Sequence, residues 1–347
     1  MISYRQQLAK IGIGYDEAVS YQAFYSRPRS LRQAIRSMDA PAGNSWKQVS
    51  DIFRDDFWTD EVQGVAWDGT HWIFSANANQ LKPGHEDKAI YVFKGGETLS
   101  DGNWVSRIKY KDVPHPISGT TESDDHWGQL TFFEGRVYVA HFWAGDPPKA
   151  EFASVVVFKD TNGVLEYEDW IELEKPTSPT DNRTERAEFQ AINPWDGMLY
   201  TCFGAGDIHE FFIHHREGPK AGQWTGKALT LDQPVKFVQG ACFSANGHLY
   251  IATNAKLPGD ARYQTIWYYA ALNGHQFGVI PVLAEESEDD DPAVDDLAQE
   301  LEGICFANVS VPGGQGAQIH AVLLENELAA LDDIFFKSFA SSTPDLV

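Results

Sequence analysis

The chain has 347 residues, of which 27 are Lys or Arg and 50 are Asp or Glu, so its formal charge is −23. A surface this negative repels phosphate, which excludes nucleic acid as an expected partner. With 43% apolar and 13% aromatic residues, the composition is that of a globular protein. No stretch approaches the roughly 18 consecutive apolar residues of a membrane span, so we expect no membrane partner. The first residues lack the apolar segment of a signal peptide, which favours a cytoplasmic location unless a leader has been removed.

Residues 1–50 are predicted to form an N-terminal extension that is partly helical. Ser30-Leu31-Arg32-Gln33 has the pattern of a capping box, which favours a short helix from this point. Residues 1–40 carry a net charge of +3, whereas the rest of the chain carries −26. One hypothesis is a basic arm that docks on the acidic body of a second copy and makes a homo-oligomer. The alternative is a segment that packs on its own acidic body.

Residues 51–347 contain five similar segments, and this repeat predicts the fold. Each segment has a short apolar strand, a turn and a second strand rich in aromatic and β-branched residues. Their aligned positions are separated by 64, 62, 50 and 63 residues: Gly64, Gly128, Gln190, Gly240 and Gly303. A period of this size is typical of units that stack on one another to bury their apolar faces.

The turns and the following strands make each unit resemble a propeller blade. The first four units turn at a pair ending in glycine, which supplies the positive φ of a tight hairpin: Asp68-Gly69, Glu134-Gly135, Asp196-Gly197 and Asn246-Gly247. Each of these hairpins is followed by one or two outer strands. The sequence therefore predicts an all-β fold, a five-bladed β-propeller. Segments 51–58 and 333–337 are expected to close the ring as outer strands of one shared blade. In a six-bladed alternative they belong to a further blade.

Candidate functional residues are expected where the innermost strands converge on the propeller axis. The side chains directly before the repeated positions are Gln63, Trp127, Phe189, Gln239 and Glu302. The ends of the second strands add Asn77, His141, Trp143 and Asn254, and the residues just upstream include His126 and Glu188. Of the eleven tryptophans, Trp127 and Trp143 are expected to stand exposed on this rim.

These residues suggest acid–base chemistry on a small molecule. Catalysis is assigned to Glu302, Glu188 and His126, because carboxyl and imidazole groups are common general acids and bases. Substrate binding is assigned to the aromatic, amide and remaining imidazole groups: Trp127, Phe189, Gln63, Gln239, His141 and Trp143. For His126 a structural alternative stays open, in which it pairs with Asp125 and ties two blades together.

The string Leu301-Glu302-Gly303-Ile304, with asparagines ending other inner hairpins, resembles the inner-strand motif of calcium-dependent propellers. These are the gluconolactonase and senescence-marker family and the five-bladed calcium-activated apyrases. There, a Glu directly before a Gly joins Asn and Asp side chains from other blades to hold a divalent metal on the axis. The resemblance implies that Glu302, Asn254 and Asn77 hold calcium or another divalent metal.

Two classes of function follow from these observations. The first is a small-molecule enzyme with an axial pocket, performing a hydrolysis or an isomerisation by acid–base or metal-assisted chemistry. The alternative is a non-catalytic propeller that binds carbohydrate or another protein. The acidic run at residues 285–296 is interpreted as a solvated loop between blades.

Overall fold

The computed structural model describes residues 46–78, 88–114, 125–143, 152–176, 187, 189–203, 207–245, 247–257, 263–283, 299–311, 316–325 and 332–341. The predicted helix after Ser30 and the acidic run at 285–296 lie outside these ranges. Short 3-10 helices occur at Tyr110–Asp112 and Gly218–Lys220. No helix among the residues covered is long and apolar enough to span a membrane.

The described chain forms antiparallel sheets of four strands each, and each sheet is a blade. The first strand, β1 (Trp46–Arg54), joins the last blade. Blade 1 contains β2 (Val62–Trp67), β3 (His71–Ala76), β4 (Ala89–Lys94) and β5 (Trp104–Lys109). Blade 2 contains β6 (Asp125–Phe133), β7 (Arg136–Trp143), β8 (Phe152–Thr161) and β9 (Val164–Glu172). In each blade the first strand named is innermost.

Blades 3 to 5 continue the same order along the chain. Blade 3 contains β10 (Ala191–Ile192), β11 (Leu199–Thr201), β12 (Ile208–His214) and β13 (Trp224–Val235). Blade 4 contains β14 (Val238–Phe243), β15 (His248–Thr253), β16 (Tyr263–Ala270) and β17 (Gln276–Leu283). Blade 5 contains β18 (Gln299–Ser310), β19 (Gly316–Glu325), β20 (Asp333–Ser341) and, outermost, β1. The prediction of a five-bladed propeller is confirmed, and the six-bladed alternative is wrong.

Strand β1 closes the ring by pairing with β20 near the other end of the chain. Asp51 lies opposite Lys337 in this pairing, and the Lys337 Nζ donates to Asp51 Oδ2 at 2.7 Å. The side chain of Lys337 is fully buried, so this ion pair sits inside the closing sheet. β1 begins at Trp46, so residues 46–50 belong to the propeller. The predicted boundary at residue 51 had assigned them to the N-terminal extension.

The apolar core is divided among the seams between neighbouring blades. Phe74 faces the seam between blades 5 and 1, where it packs beside Trp58 and Phe336, whereas the adjacent Ile73 faces the seam between blades 1 and 2. This alternation follows from the period of two in a β-strand. Each blade therefore buries both of its faces, which a single unit of the repeat cannot do alone.

The hairpin turns have the predicted glycine conformation. Gly69, Gly135, Gly197 and Gly247 have φ of 105°, 78°, 68° and 75°. A side chain at such a φ is strained, so these glycines fix the tight connection between the first and second strands. The turns lie at the end of the inner hairpins opposite to Gln63 and its counterparts.

Candidate functional site at the mouth of the axis

The innermost strands of four blades share one irregularity that sets which side chains face the axis. In blade 1, Val62 pairs with Ala76 and Gly64 pairs with Ser75, so Gln63 is an extra residue without a partner across the ladder. Blade 4 repeats this with Gln239 as the extra residue. Blades 2 and 5 have register shifts of the same size, between Trp127 and Leu130 and between Leu301 and Ile304. Such a bulge turns one side chain away from the regular pleat.

Counting from the bulges corrects the alignment of the second repeat by one residue. Val62, Trp127, Val238 and Leu301 are the last paired residues before each bulge. The counterpart of Gly64, Gly240 and Gly303 is therefore Gln129, and the counterpart of Gln63 is Gly128. A shift of one residue moves a strand's side chains to the other face, so Trp127 occupies a core position instead of the expected axial one.

Gln129 closes the axis below the mouth. Its Nε2 donates to the carbonyl oxygens of Ile304 (2.6 Å) and Val65 (3.1 Å), and its Oε1 accepts from the Ile304 N–H at 3.1 Å. Blade 5, which holds Ile304, does not neighbour blade 2 in the ring, so the side chain crosses the axis. A Cβ on Gly240 would lie 3.3 Å from Gln129 Oε1. A Cβ on Gly64 would lie 2.8 Å from the Gln129 Cα, so both glycines leave room for this glutamine.

Gln190 fills the corresponding place in blade 3. It is fully buried, its Nε2 donates to the Tyr138 carbonyl at 2.5 Å, and its Oε1 accepts from Thr131 Oγ1 at 3.0 Å. Sequence reasoning placed Gln190 on the repeat without assigning it a role, and it placed Gly128 where Gln129 belongs. The residue type itself was a usable signal. Backbone N–H and C=O groups at the open edges of converging strands need partners. A glutamine amide supplies both a donor and an acceptor on one side chain.

One group of predicted residues gathers at the mouth where blades 1 and 2 meet. Gln63 Oε1 accepts from His126 Nε2 at 2.8 Å, so this nitrogen carries a proton. Asn77 Nδ2 lies 3.1 Å from both ring nitrogens and donates to the Trp127 carbonyl at 2.9 Å. The ring of His126 also stacks on Phe142, with centroids 4.6 Å apart. The network holds the His126 ring between blades 1 and 2 in a half-buried position.

A second group gathers where blades 4 and 5 meet. Gln239 Nε2 donates to Glu302 Oε1 at 3.0 Å, and the Glu302 side chain is only 2% exposed. Asn254 Nδ2 donates to Glu300 Oε1 at 3.3 Å. The two groups meet through the inner strands, because a Cβ on Gly303 would lie 2.8 Å from the Gly64 Cα. Glu302 directly precedes Gly303, and Gln63 directly precedes Gly64. The contact between these two glycines therefore brings the two groups close together.

The two predicted asparagine ligands have a structural task. Asn77 Oδ1 accepts from the Trp127 N–H at 2.8 Å, and Asn254 Oδ1 accepts from the Leu301 N–H at 2.6 Å. Each asparagine follows the second strand of its blade and binds the residue before the bulge of the next blade. Their amide oxygens are therefore committed to backbone donors. The described residues contain no group of three or more His, Cys, Asp and Glu able to hold a metal.

Three predicted substrate-binding residues lie in the core. Trp127 is 0% exposed and packs edge-on to Tyr110, so the expectation that it stands on the rim is wrong. Phe189 is 1% exposed and packs on Phe211 in the seam between blades 3 and 4. His141 is fully buried, and its Nδ1 lies 2.8 Å from Ser154 Oγ on the next strand. None of these three residues is the one that a bulge turns out of an innermost strand, and all three pack against neighbouring side chains instead.

Two further predicted residues have no side chain to describe. Glu188, assigned to catalysis, lies outside the described residues. Trp143 ends β7, but its side chain is also outside the description. Their assigned roles stay predictions.

Other titratable groups of the core are held in unreactive states. Burial lowers the pKa of His248 and of His320 to about 4, so both imidazoles are neutral at pH 7. Burial raises the pKa of the Cys242 and Cys305 thiols, which keeps them protonated. At the mouth, by contrast, His126 and Gln239 are half-buried, beside the buried Glu302 and Gln63.

Comparisons with known proteins describe only similarities of shape. No protein-family model matches the chain, and no curated protein matches its sequence. A GH43 endo-arabinanase from Bacillus licheniformis is 10% identical, with 82% of this chain and 95% of that chain covered and a TM-score of 0.44. A calcium-binding protein, regucalcin, from Agrobacterium tumefaciens is 9% identical, with 80% and 75% covered and a TM-score of 0.37.

A third solved structure, a DUF4623 family protein from Bacteroides eggerthii, is 11% identical, with 87% of this chain and 77% of that chain covered and a TM-score of 0.42. Likenesses at this level carry no argument about activity. The propeller assignment rests on the strand pairing, and any functional conclusion rests on the residues at the mouth.

Proposed function

We propose that this propeller binds a small, uncharged, hydroxyl-rich molecule at the mouth of its axis and performs acid–base chemistry on it. The observation that supports the proposal is the gathering of Glu302, Gln239, Gln63 and His126 above an axis that Gln129 closes. Because Gln129 closes the axis below them, a ligand would reach these groups only from the mouth. Converging polar groups in such a concave place are the usual arrangement of a small-molecule site.

The hydrogen-bonding groups of the mouth suit hydroxyl groups. Gln63 and Gln239 offer both donors and acceptors, and Glu302 offers carboxylate acceptors. Glu300 adds a second carboxylate nearby, bound by Asn254. Carboxylates so placed repel an anionic ligand, so phosphate esters and carboxylic acids are disfavoured relative to neutral polyols and sugars.

The roles proposed for the catalytic pair follow from their residue types and positions. A carboxylate is an acceptor of protons, so Glu302 acts as the general base that takes a proton from an attacking water. His126 is the proposed donor to the substrate oxygen on which negative charge develops, and for this its Nε2–H exchanges Gln63 Oε1 for the substrate. A hydrolysis at a polarised carbon–oxygen bond, such as that of a lactone, uses both groups.

A non-catalytic carbohydrate binder is the second candidate. The amide groups of Gln63 and Gln239 are binding groups and not reacting ones, and they suit sugar hydroxyls in the absence of any reaction. Both candidates place the ligand at the same mouth, so one set of variants separates them.

The test uses D-glucono-1,5-lactone as substrate and follows acid release in a pH-stat. Glu302→Gln keeps the size of the side chain, and His126→Gln keeps a hydrogen-bond donor and acceptor; both remove the acid–base group. We expect each to lower the catalysed rate by about 100-fold or more with a melting temperature close to wild type. Tyr167→Thr, at a partly exposed aromatic on the outermost strand β9, is the matched control and should keep full activity.

The outcomes distinguish the two candidates. A wild-type protein that does not hydrolyse the lactone, but binds methyl β-D-glucopyranoside in a manner lost in Glu302→Gln, supports the non-catalytic binder. A protein that neither hydrolyses the lactone nor binds the glucoside overturns the proposed function.

A further inference from the structure

Phe237 is a large apolar side chain in an unusual conformation beside the candidate site. It is 56% exposed, and its backbone has a φ of 51°. A positive φ is rare for a bulky residue, because its Cβ approaches the backbone closely. Backbone strain of this kind is concentrated at functional sites. Phe237 directly precedes the innermost strand β14.

The backbone at this position is held by an asparagine strap, in which the asparagine that follows the second strand of the blade donates its backbone N–H to the residue before the innermost strand. The Phe237 carbonyl accepts from the Asn254 N–H at 2.9 Å. Blade 1 repeats the geometry, since Glu61, with a φ of 56°, accepts from the Asn77 N–H at 2.9 Å. Glycine would satisfy this conformation without strain. The strap therefore explains the positive φ, but it does not explain an aromatic side chain.

The position of Phe237 separates it from the other exposed apolar residues. Those on strands in the described ranges lie on the outermost strand of a blade: Phe53, Val105, Val164, Tyr167 and Leu283. Phe57 lies in the segment that follows β1. Phe237 instead lies at the start of an innermost strand, where the chain enters the rim.

Phe237 is tied to the acidic part of the mouth through its neighbours. Gln239, which lies two residues after Phe237, donates from its Nε2 to Glu302 Oε1 at 3.0 Å. Asn254, which binds the Phe237 carbonyl, also binds Glu300 and the Leu301 N–H. A ring placed here stands on the same rim as the carboxylates and amides of the candidate site.

We propose that Phe237 is the stacking surface for a ring-shaped ligand, the apolar C–H face of a pyranose or furanose sugar, while the amides and Glu302 bind its hydroxyl groups. This inference rests on the proposed function, because it names the ligand class of that same mouth. An aromatic face beside convergent polar groups fits a molecule that has one apolar face and a polar edge. An acyclic polyol has the hydroxyl groups but not the flat face.

The experiment compares cyclic and acyclic probes by saturation-transfer NMR titration. The probes are methyl β-D-glucopyranoside and methyl β-D-xylopyranoside, with D-sorbitol as the acyclic comparison. Phe237→Gly should weaken binding of the glycosides about two- to tenfold and leave any sorbitol binding unchanged. Phe237→Tyr keeps the ring and should bind as wild type does. Tyr167→Thr controls for the loss of a partly exposed aromatic away from the mouth.

A melting curve separates this role from a structural one. Phe237→Gly relieves the positive φ and removes little packing, so its melting temperature should equal that of wild type or exceed it by about 2 °C. Glu61→Gly is the comparator for strain relief in blade 1. A fall of several degrees in Phe237→Gly, with glycoside affinity unchanged, shows that the residue is structural and overturns the proposal.

Failure of this inference and failure of the proposed function give different results. If Glu302→Gln abolishes glycoside binding while Phe237→Gly binds as wild type, the stacking role is wrong and the proposed site stands. Equal weakening of sorbitol and of the glycosides in Phe237→Gly also overturns the stacking role. If the wild-type protein binds none of the three probes, both proposals are wrong.

Discussion

The glutamine that closes the axis offers the sharpest prediction about stability. An innermost propeller strand has one edge without a partner strand, so some of its backbone groups face the axis. Gln129 satisfies the N–H and the C=O of Ile304 at 3.1 and 2.6 Å and the C=O of Val65 at 3.1 Å. Its side-chain amide takes the place that a neighbouring strand's peptide group would occupy.

Gln129→Ala leaves these groups without their partner. A buried donor or acceptor left unsatisfied costs about 1–3 kcal/mol, and Ile304 alone presents one of each. We therefore expect the free energy of unfolding to fall by about 3 kcal/mol. At roughly 2 °C per kcal/mol for a domain of this size, the melting temperature should fall by about 6 °C.

Thermal melts of Gln129→Ala and of Gln233→Ala test this reasoning. Gln233 is an exposed residue on the outermost strand β13, so its truncation should shift the melting temperature by less than about 1 °C. Gln129→Leu keeps most of the volume without the hydrogen bonds and should be nearly as unstable as the alanine variant. A Gln129→Ala protein that melts within 1 °C of wild type would refute the role of the amide.

Three further predictions concern the closing sheet, a buried carboxyl group and metal binding. Asp51→Asn removes the partner of the buried Lys337 ammonium and should cost about 2 kcal/mol in thermal or chemical unfolding, since Asp51 is 29% exposed. Burial raises the pKa of Asp196 to about 6 from 3.8, so the native state holds this proton more tightly than the unfolded state. Stability should therefore fall by on the order of 3 kcal/mol as the pH rises through this window, and Asp196→Asn should lack that component. Chelation with EDTA should leave the melting temperature unchanged, because both asparagine oxygens of the implied metal set accept backbone N–H groups.

Each of these has a clear contrary result. A Lys337→Met and Asp51→Asn double variant that is no more stable than Asp51→Asn would show that the buried Lys337 charge is not the source of the loss. Identical pH profiles for wild type and Asp196→Asn would contradict the raised pKa. A melting temperature that falls by several degrees in EDTA and recovers with calcium would restore the metal hypothesis.

The fold could be predicted because its determinants repeat along the chain. Five strand–turn–strand segments, glycines at the turns and two leftover strands at the ends were enough for the blade count and the ring closure. The blade count followed from the spacing of the repeat and from the glycines at the turns, and both can be read directly along the sequence. Lys337 could not be recognised in this way, because its burial depends on a strand that lies almost 300 residues away.

The site was only partly predictable, and the bulges explain why. Gln63, Gln239 and Glu302 were expected at the axis and lie at the mouth, since each is the residue that a bulge turns out of the pleat. The prediction for Trp127 was wrong, because the sequence alignment matched Gly128 to the repeated glycine. In the structure Gln129 occupies that position of the repeat. One residue of register decides between core and mouth, and nothing in the local sequence marks where the bulge falls.

The strained aromatic of the rim gave no signal in the sequence. A glycine indicates a positive φ, but Phe237 has one without being glycine. The conformation is imposed by Asn254, which reaches back from the following strand. The asparagines were noticed as a repeated feature, but their oxygens bind the backbone of the next blade, which only the three-dimensional arrangement shows.

The most direct test of the proposed site is a crystal structure of the protein soaked with methyl β-D-glucopyranoside. We expect the sugar at the mouth above Gln129, with its hydroxyl groups within hydrogen-bond distance of Glu302 and Gln239 and its ring against Phe237. Electron density for the sugar on another face of the propeller, or a mouth that stays without sugar at saturating concentration, would contradict the account.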